Sequence, residues 1–245
     1  MLQRILSTLR NRQASTTAKP PPTHPDLCYS DAFARCTLDL WLPEADTPAP
    51  LMLMFHGGAF MRGNKVRDMP YRRDLLALVQ DGVAVASVGY PLLGDLGAKR
   101  TDGPEPYLKI MREAANAVRF LQERTAKYNL DPARFISGGS SAGAIIAEWA
   151  TYAEPLSISF CIALEQPYGV HQVLPYIKKG GAPILLHTRA SRLDLIHHPR
   201  NARAVQARCD EVGVRCWLYG TGHNGLPAVP DGLTVIQQAM EVIRE

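Results

Sequence analysis

Ser141 lies at the centre of Gly139-Ser-Ser-Ala-Gly143, which fits the pattern G-x-S-x-G. The strand-forming run Arg134–Ser137 precedes this motif and a helix-forming run follows it, as a nucleophile turn requires. Such a sharp turn strains the central residue, and glycines on both sides remove side chains that would clash across it. The pattern predicts Ser141 as a nucleophile and a structural or hydrogen-bonding role for Ser140. A Gly/Ser-rich turn without chemistry is the alternative.

A second motif, His56-Gly-Gly-Ala59, follows the apolar strand candidate Leu51–Phe55. Two successive glycines let the main chain approach a reacting oxygen closely. Preorganised N–H groups there stabilise the negative charge of a tetrahedral intermediate far better than water does. The expected oxyanion-hole donors are the backbone N–H groups of Gly57, Gly58, Ala59 and Ala142.

The two motifs together resemble the esterase and lipase group of the α/β-hydrolase superfamily, which carries a His-Gly-Gly element upstream of its serine. The stretches Tyr128–Arg134 and Ser87–Leu92 are also typical of that group, and the resemblance covers most of the chain from Leu27 onward. The sequence is similar to hormone-sensitive-lipase-like proteins, feruloyl or acetyl esterases and kynurenine formamidases. The resemblance implies an α/β-hydrolase fold, a triad in the chain order serine, acid, histidine, and a positioning role for His56.

His223 lies in Gly220-Thr-Gly-His-Asn-Gly225, a loop beyond the last strand candidate and before the last helix candidate. That placement matches the catalytic histidine of the superfamily, whose ring must reach over the nucleophile. The resemblance therefore assigns the general base to His223. A histidine in an ordinary glycine-containing loop is the alternative.

The triad acid is expected after the strand candidate Pro183–His187, and here the chain departs from the family pattern. Relatives carry an aspartate at the position of Ser191, whereas the next aspartate in this chain is Asp194. The spacing from Asp194 to the next helix matches the usual spacing, so we expect Asp194 to be the acid, behind a short insertion. Glu165 is the alternative, because some hydrolases place the acid one strand earlier.

The resemblance implies a serine hydrolase that cleaves carboxylic esters through an acyl-enzyme and needs no cofactor. Only Glu165–Gly181 and the loop Leu92–Pro106 offer extra chain between core elements, so the cap is minimal. A minimal cap favours small or short-chain acyl esters. An arylformamidase or other amidase would use the same triad. A catalytically inactive hydrolase fold that binds a small ligand or partner is the third interpretation.

Strand candidates alternate with helix candidates over residues 27–245, which predicts one α/β domain: a mostly parallel sheet with helices on both faces. The strand candidates are Cys36–Leu42, Leu51–Phe55, Val83–Val88, Arg134–Ser137, Phe160–Leu164, Pro183–His187 and Val214–Tyr219. The helix candidates are Tyr71–Gln80, Tyr107–Tyr128, Ala142–Tyr152, Arg200–Val212 and Leu233–Ile243. The segment Pro43–Pro50 is expected to join the first two strands as an antiparallel hairpin.

Residues 1–26 are expected to form a short helix and an extended, proline-rich spacer, Lys19–Pro25. Their first part, Met1–Lys19, contains arginine, serine and threonine but no acid. This composition is typical of a surface helix or of a mitochondrial transit peptide. We therefore expect a cytoplasmic protein, with a mitochondrial location as the alternative.

The composition excludes several other classes of function. The net charge of +4 comes without the dense basic stripe of a nucleic-acid-binding protein. The five cysteines lack C-x-x-C spacing, which predicts reduced thiols. Asp194, His197 and His198 could bind a metal, but adjacent histidines are more often solvated, so we expect no metal. No apolar run reaches the roughly 18 residues of a membrane span. The expected partner is a small-molecule ester, and the sequence implies no particular oligomeric state.

Overall fold

The computed structural model describes residues 20–244, so the predicted amino-terminal helix lies outside the described residues. The strands are β1 (His24–Cys28), β2 (Thr37–Trp41), β3 (Ala49–Phe55), β4 (Ala84–Val88), β5 (Leu130–Ser140), β6 (Phe160–Leu164), β7 (Ile184–His187) and β8 (Cys216–Tyr219). The α-helices are α1 (Arg72–Gln80), α2 (Glu105–Gln122), α3 (Thr125–Tyr128), α4 (Ala142–Tyr152), α5 (Pro199–Val212) and α6 (Val235–Arg244). Short 3₁₀ helices occupy Leu93–Leu96, Tyr168–Gln172 and Leu174–Tyr176.

The strands form one sheet in the order β1-β2-β4-β3-β5-β6-β7-β8. The pairs at the β1 edge are antiparallel, and all neighbours from β4 to β8 run parallel. Apolar residues of α2, α4 and α5 form a core on one face, while those of α1 and α6 form a second core on the other. Burial on both faces explains why the central strands are continuous apolar runs rather than alternating ones. The expected mostly parallel sheet with helices on both faces is confirmed.

Two details of the sequence-based prediction are wrong. His24–Cys28, assigned in part to the spacer, forms β1, which pairs with β2 and contains the expected domain boundary. Its proline is tolerated because β1 is an edge strand, where a missing N–H breaks no central ladder. β2 pairs with β4 instead of β3, so Pro43–Pro50 joins strands that are not neighbours and forms no hairpin. The apolar β3 takes a central place, with parallel partners on both sides.

The direction of the strands determines where the site lies. Parallel strands end at the same edge of the sheet, and in α/β folds ligands bind just beyond that carboxyl edge. The residues that directly follow β3, β5, β6, β7 and β8 are His56, Ser141, Glu165, Thr188 and Gly220.

No helix within residues 20–244 has the length and apolar character needed to cross a membrane. All five cysteines are free thiols, as the sequence predicted.

Candidate active site

Ser141 occupies the turn between β5 and α4 in a conformation that side chains rarely adopt. Its φ is 55° and its ψ is −118°. A residue held in such a region costs on the order of 1–3 kcal/mol and persists only where its surroundings impose it. Here the N–H of Ser141 donates to the carbonyl of Leu164 at 2.9 Å, and its own carbonyl accepts from Ala144 N at 2.9 Å. The turn therefore has the strained geometry that the motif predicts.

Close backbone contacts explain the two glycines of the motif. A Cβ atom added at Gly139 would lie 2.2 Å from the carbonyl oxygen of Gly143. A Cβ atom added at Gly143 would lie 2.1 Å from the carbonyl oxygen of Phe55 and 2.6 Å from that of His56. Neither contact can be relieved by rotating a side chain, because both partners are main chain. The nucleophile turn thus packs directly against the end of β3.

The segment after β3 lies next to Ser140 and Ser141. A Cβ atom added at Gly57 would lie 3.0 Å from Ser140 O and 3.4 Å from Ser141 Cβ. The following Gly58 has a φ of 122°, which favours glycine. The N–H groups of Gly57, Gly58 and Ala59 donate to no other described residue. The N–H of Ala142, in the first turn of α4, has no intrahelical acceptor. All four predicted oxyanion-hole N–H groups therefore lack an acceptor among the described residues, and Gly57 lies in close contact with Ser141.

His56 holds the segment 57–59 in place from its buried side. Its ring is 1% exposed, lies 4.2 Å from the Tyr90 ring in a stacked arrangement, and places Nδ1 2.7 Å from Gly57 O. The hydroxyl of Tyr90 donates to His56 O at 2.6 Å. Burial lowers the pKa of His56 below its usual value, so the neutral ring donates its Nδ1–H to Gly57. These contacts fit the positioning role that the resemblance implies.

The imidazole that contacts the nucleophile belongs to His197. Its Nε2 lies 2.9 Å from Ser141 Oγ, and its Nδ1 lies 3.5 Å from Asp194 Oδ2. Asp194 Oδ1 accepts the N–H groups of His197 and Ile196, both at 2.8 Å. These backbone hydrogen bonds, that of His197 above all, lower the pKa of Asp194 and keep it ionised. The structure thus aligns a hydroxyl, an imidazole and a carboxylate in the order of a catalytic triad.

His223 is not part of this alignment. It is exposed, its N–H donates to Thr221 Oγ1 at 3.3 Å, and its ring hydrogen-bonds no described residue. The adjacent Asn224 is buried and donates Nδ2 to the carbonyls of Thr188 and Ala190 at 2.9 and 3.1 Å. The His223 loop is therefore tied to the segment after β7. Its assignment as the base stays a prediction, and the imidazole within reach of Ser141 is that of His197, which the sequence suggested only as a possible metal ligand.

Glu165 contacts neither histidine. It has a φ of 50° and accepts hydrogen bonds from Thr188 Oγ1 at 2.9 Å and from the N–H and Nε of Arg189 at 3.1 Å. Both of its oxygens are therefore occupied by neighbours of β7. Of the two acids considered, Asp194 is the one that the structure brings to a histidine.

The possible metal cluster is not assembled. His198 accepts the N–H of Arg200 at its Nδ1, as the cap of α5, instead of turning toward Asp194. Among residues 20–244, no group of three or more His, Cys, Asp or Glu side chains is arranged to hold a metal ion.

A cleft of about 880 Å³ opens beside the nucleophile. One wall consists of Gly57, Gly58 and Ser140, which adjoin Ser141. Arginines and Tyr71 contribute to the rest of the lining. The cleft therefore adjoins the turn that carries Ser141.

Solved structures with the same architecture are esterases by description. Thermogutta terrifontis esterase 2 phosphoramylated by tabun has a TM-score of 0.68 and 14% identity, over 95% of this chain and 96% of that chain. The butyrate-bound form of the Thermogutta terrifontis esterase gives 0.64 and 15%, over 89% and 91%. A truncated carbohydrate esterase from gut microbiota gives 0.65 and 15%, over 85% and 90%. This likeness confirms the expected α/β-hydrolase fold.

Sequence comparisons identify the family. No curated protein sequence gave a significant match. The BD-FAE family model matches residues 38–161, about half of the chain, including the His56-Gly-Gly-Ala59 segment and Ser141. The chain therefore belongs to the BD-FAE family.

Proposed function

We propose that the protein is a serine hydrolase that cleaves carboxylic esters, with Ser141 as its nucleophile. The observation that carries the proposal is the 2.9 Å separation of Ser141 Oγ and His197 Nε2 at a strained strand-to-helix turn. Nucleophile and base side chains within hydrogen-bond reach, with the base oriented by a third group, are the signature of covalent acyl transfer. Membership of the BD-FAE family and a fold shared with esterases agree with this chemistry.

The proposed reaction begins with attack of Ser141 Oγ on the ester carbonyl carbon while His197 Nε2 takes the hydroxyl proton. The carbonyl oxygen becomes negatively charged, and the unpaired N–H groups around Ser141 stabilise it. Asp194 stabilises the imidazolium that forms. The imidazolium then protonates the departing alcohol and leaves an acyl-enzyme. A water molecule, deprotonated by the same imidazole, attacks the acyl carbon, releases the acid and restores the serine hydroxyl.

Short acyl chains are the first substrate class to test. The connection from β6 to β7 contains only the two short 3₁₀ helices Tyr168–Gln172 and Leu174–Tyr176, so it forms no large lid within residues 20–244. A site without an enclosing lid offers little apolar surface for a long acyl chain. One structural neighbour is described as butyrate-bound, which supports testing the same chain length here.

A fluorophosphonate probe and 4-nitrophenyl butyrate test the proposal together. The wild-type protein should be labelled and should hydrolyse the ester, while Ser141→Ala should do neither. Ser140→Ala is the matched control, because it removes the adjacent hydroxyl and should keep labelling. Absence of labelling in the wild type, or equal labelling of Ser141→Ala, would contradict the proposal. A parallel assay with N-formylkynurenine and simple amides would identify an amidase instead.

A further inference from the structure

The cleft beside Ser141 carries a concentration of positive charge, and we infer that it binds an anionic group of the substrate. The inference deepens the proposed function and rests on it. The inferred substrate is an ester whose acyl or alcohol part bears a carboxylate. Three arginines, Arg62, Arg67 and Arg189, line the cleft, against one acid, Asp68.

Two of these arginines have no partner of their own. Arg62 and Arg67 are exposed, and neither guanidinium makes a hydrogen bond or ion pair with a described residue. Each therefore keeps five N–H donors free in the planar geometry that matches a carboxylate. Both follow the Gly57 segment within ten residues, so they lie on the loop that also supplies the proposed oxyanion donors.

Asp68, the acidic residue of the cleft lining, forms its hydrogen bonds within its own loop. Asp68 Oδ2 accepts the N–H of Asn64 at 2.9 Å, and its N–H donates back to Asn64 O at 3.0 Å. The side-chain oxygen of Asn64 accepts the N–H groups of Val66 and Arg67. Asp68 forms no ion pair with the cleft arginines, and the turn that it closes gives Arg67 an ordered backbone. The charges of Arg62 and Arg67 are thus not cancelled by a direct partner.

The third arginine of the cleft, Arg189, is held by Glu165 and lies near Tyr71. Arg189 Nε donates to Glu165 Oε1 at 3.1 Å, and its Cζ lies 5.8 Å from the centre of the Tyr71 ring. Glu165 offsets part of its charge, but the two terminal NH₂ groups stay free to donate. Tyr71 itself has a φ of 49°, a strained conformation of the kind that clusters at ligand sites. Arg189 and Tyr71 therefore contribute a second polar part of the cleft lining.

The remaining lining contains few apolar side chains. Pro70 and Tyr71 are the lining residues with a mainly apolar side chain, and main chain and arginine stems supply the rest of the apolar surface. An alkyl chain would displace water from guanidinium groups without replacing their hydrogen bonds, which is unfavourable. A carboxylate would instead gain charge-assisted, bidentate hydrogen bonds.

Matched esters test the inference. On the acyl side, 4-nitrophenyl hydrogen adipate is compared with 4-nitrophenyl hexanoate, which has the same leaving group and chain length. On the alcohol side, 3-acetoxybenzoate is compared with its methyl ester. We expect kcat/KM to be about tenfold higher for the charged member of at least one pair. Raising NaCl from 20 mM to 500 mM should shrink this ratio, because exposed charges are screened.

Substitutions then assign the preference to the cleft. In the double variant Arg62→Gln/Arg67→Gln, the charged-to-neutral ratio should fall toward one. Arg112→Gln is the matched control: it removes an exposed arginine of α2 outside this cleft, and the ratio should stay at its wild-type value. Equal kcat/KM within both pairs, together with Ser141-dependent hydrolysis, would overturn the inference and leave the proposed function intact.

A binding measurement distinguishes a failure of the proposed function from a failure of the inference. If no ester is hydrolysed, the proposed function fails, and calorimetry with monomethyl adipate, an anion, and dimethyl adipate, its neutral counterpart, on Ser141→Ala still decides the inference. Tighter binding of the anion that is lost after adding Arg62→Gln and Arg67→Gln supports an anion site. Equal binding of the two esters, or a preference that survives both substitutions, overturns it.

Discussion

Ser141 Oγ and His197 Nε2 lie 2.9 Å apart although the residues follow different strands, β5 and β7, which flank β6. The contact depends on the segment 189–198, which leaves the end of β7 and returns to the sheet edge before α5 begins. Asp194 lies on the same segment, three residues from His197, and its carboxylate holds that turn through two backbone N–H groups. The imidazole of His197 and the carboxylate of Asp194 therefore reach the serine together.

The two candidate bases can be distinguished by substitution. His197→Asn should lower kcat for 4-nitrophenyl butyrate by about 10³-fold or more, because nothing else would take the Ser141 proton. His223→Asn should change kcat by no more than about threefold, since this ring is exposed and makes no hydrogen bond in the described structure. His198→Asn is the neighbouring control for disturbance of the loop. A large loss in His223→Asn with little effect of His197→Asn would establish His223 as the base.

The acid can be assigned in the same assay. Asp194→Asn keeps an oxygen for the backbone N–H groups but removes the charge that stabilises the imidazolium, so kcat should fall by about 10²-fold. Glu165→Gln should cost much less, because the Glu165 carboxylate accepts hydrogen bonds from Thr188 and Arg189 and from no histidine ring. A circular-dichroism melting curve for each variant shows whether the fold is retained. Full activity of Asp194→Asn would count against the assignment.

The packing of the nucleophile turn predicts a strong effect at Gly143. In Gly143→Ala the new methyl group meets the carbonyls of Phe55 and His56, so the oxyanion segment must move. We expect kcat to fall by about 10²-fold or more, as when an oxyanion donor is lost, while fluorophosphonate labelling slows in parallel. Gly94→Ala is the control, because an added Cβ there has nothing within 4 Å. Equal activity of the two variants would show that the segment tolerates displacement.

Glu148 predicts how stability depends on pH. This residue of α4 is fully buried, accepts Gln166 Nε2 at 2.9 Å, and has a pKa raised to about 8, mainly by desolvation. Between about pH 4.5 and 8 the unfolded chain ionises Glu148 while the folded protein keeps the proton. Its contribution to the free energy of unfolding therefore falls by about 1.4 kcal/mol per pH unit as pH rises through that window.

Glu148→Gln should remove that contribution, so its advantage in stability over the wild type should grow from pH 5 to pH 8. Urea unfolding at pH 5, 6.5 and 8 measures the difference. Glu105→Gln, at an exposed position of α2, should leave the pH profile of the wild type unchanged. Parallel profiles for wild type and Glu148→Gln would show that the buried carboxyl titrates as it does in the unfolded chain.

Local patterns in the sequence predicted the parts of the site that depend on the backbone. The turn at Ser141 follows from glycines whose absent side chains make room for main-chain contacts, and that requirement is visible in five residues. The central strands could be predicted from continuous apolar runs, because burial on both faces of the sheet requires them. β1 was missed because the prolines of this segment argue against a paired strand, and its pairing with β2 depends on residues distant in the sequence.

The histidine that contacts Ser141 could not be predicted in this way. Its position depends on how an insertion of unusual sequence folds back over the sheet edge, and no periodicity describes such a path. The family pattern pointed to the loop after β8, where His223 occupies the usual place in the chain. The one local signal for His197 was an aspartate three residues before it, which suits a turn that orients an imidazole.

The main-chain contact of Gly143 with Phe55 and His56 has a consequence for how this active site can diverge. It makes the Ser141 turn and the Gly57 segment one block, in which a side chain added at Gly143 is excluded. His197 and Asp194 lie on a separate segment, residues 189–198, which contains no regular strand or helix. Changes of length or sequence in that segment would alter the proposed proton-transfer groups and leave the block unchanged. The proposed nucleophile and the proposed proton-transfer groups can therefore diverge independently of each other.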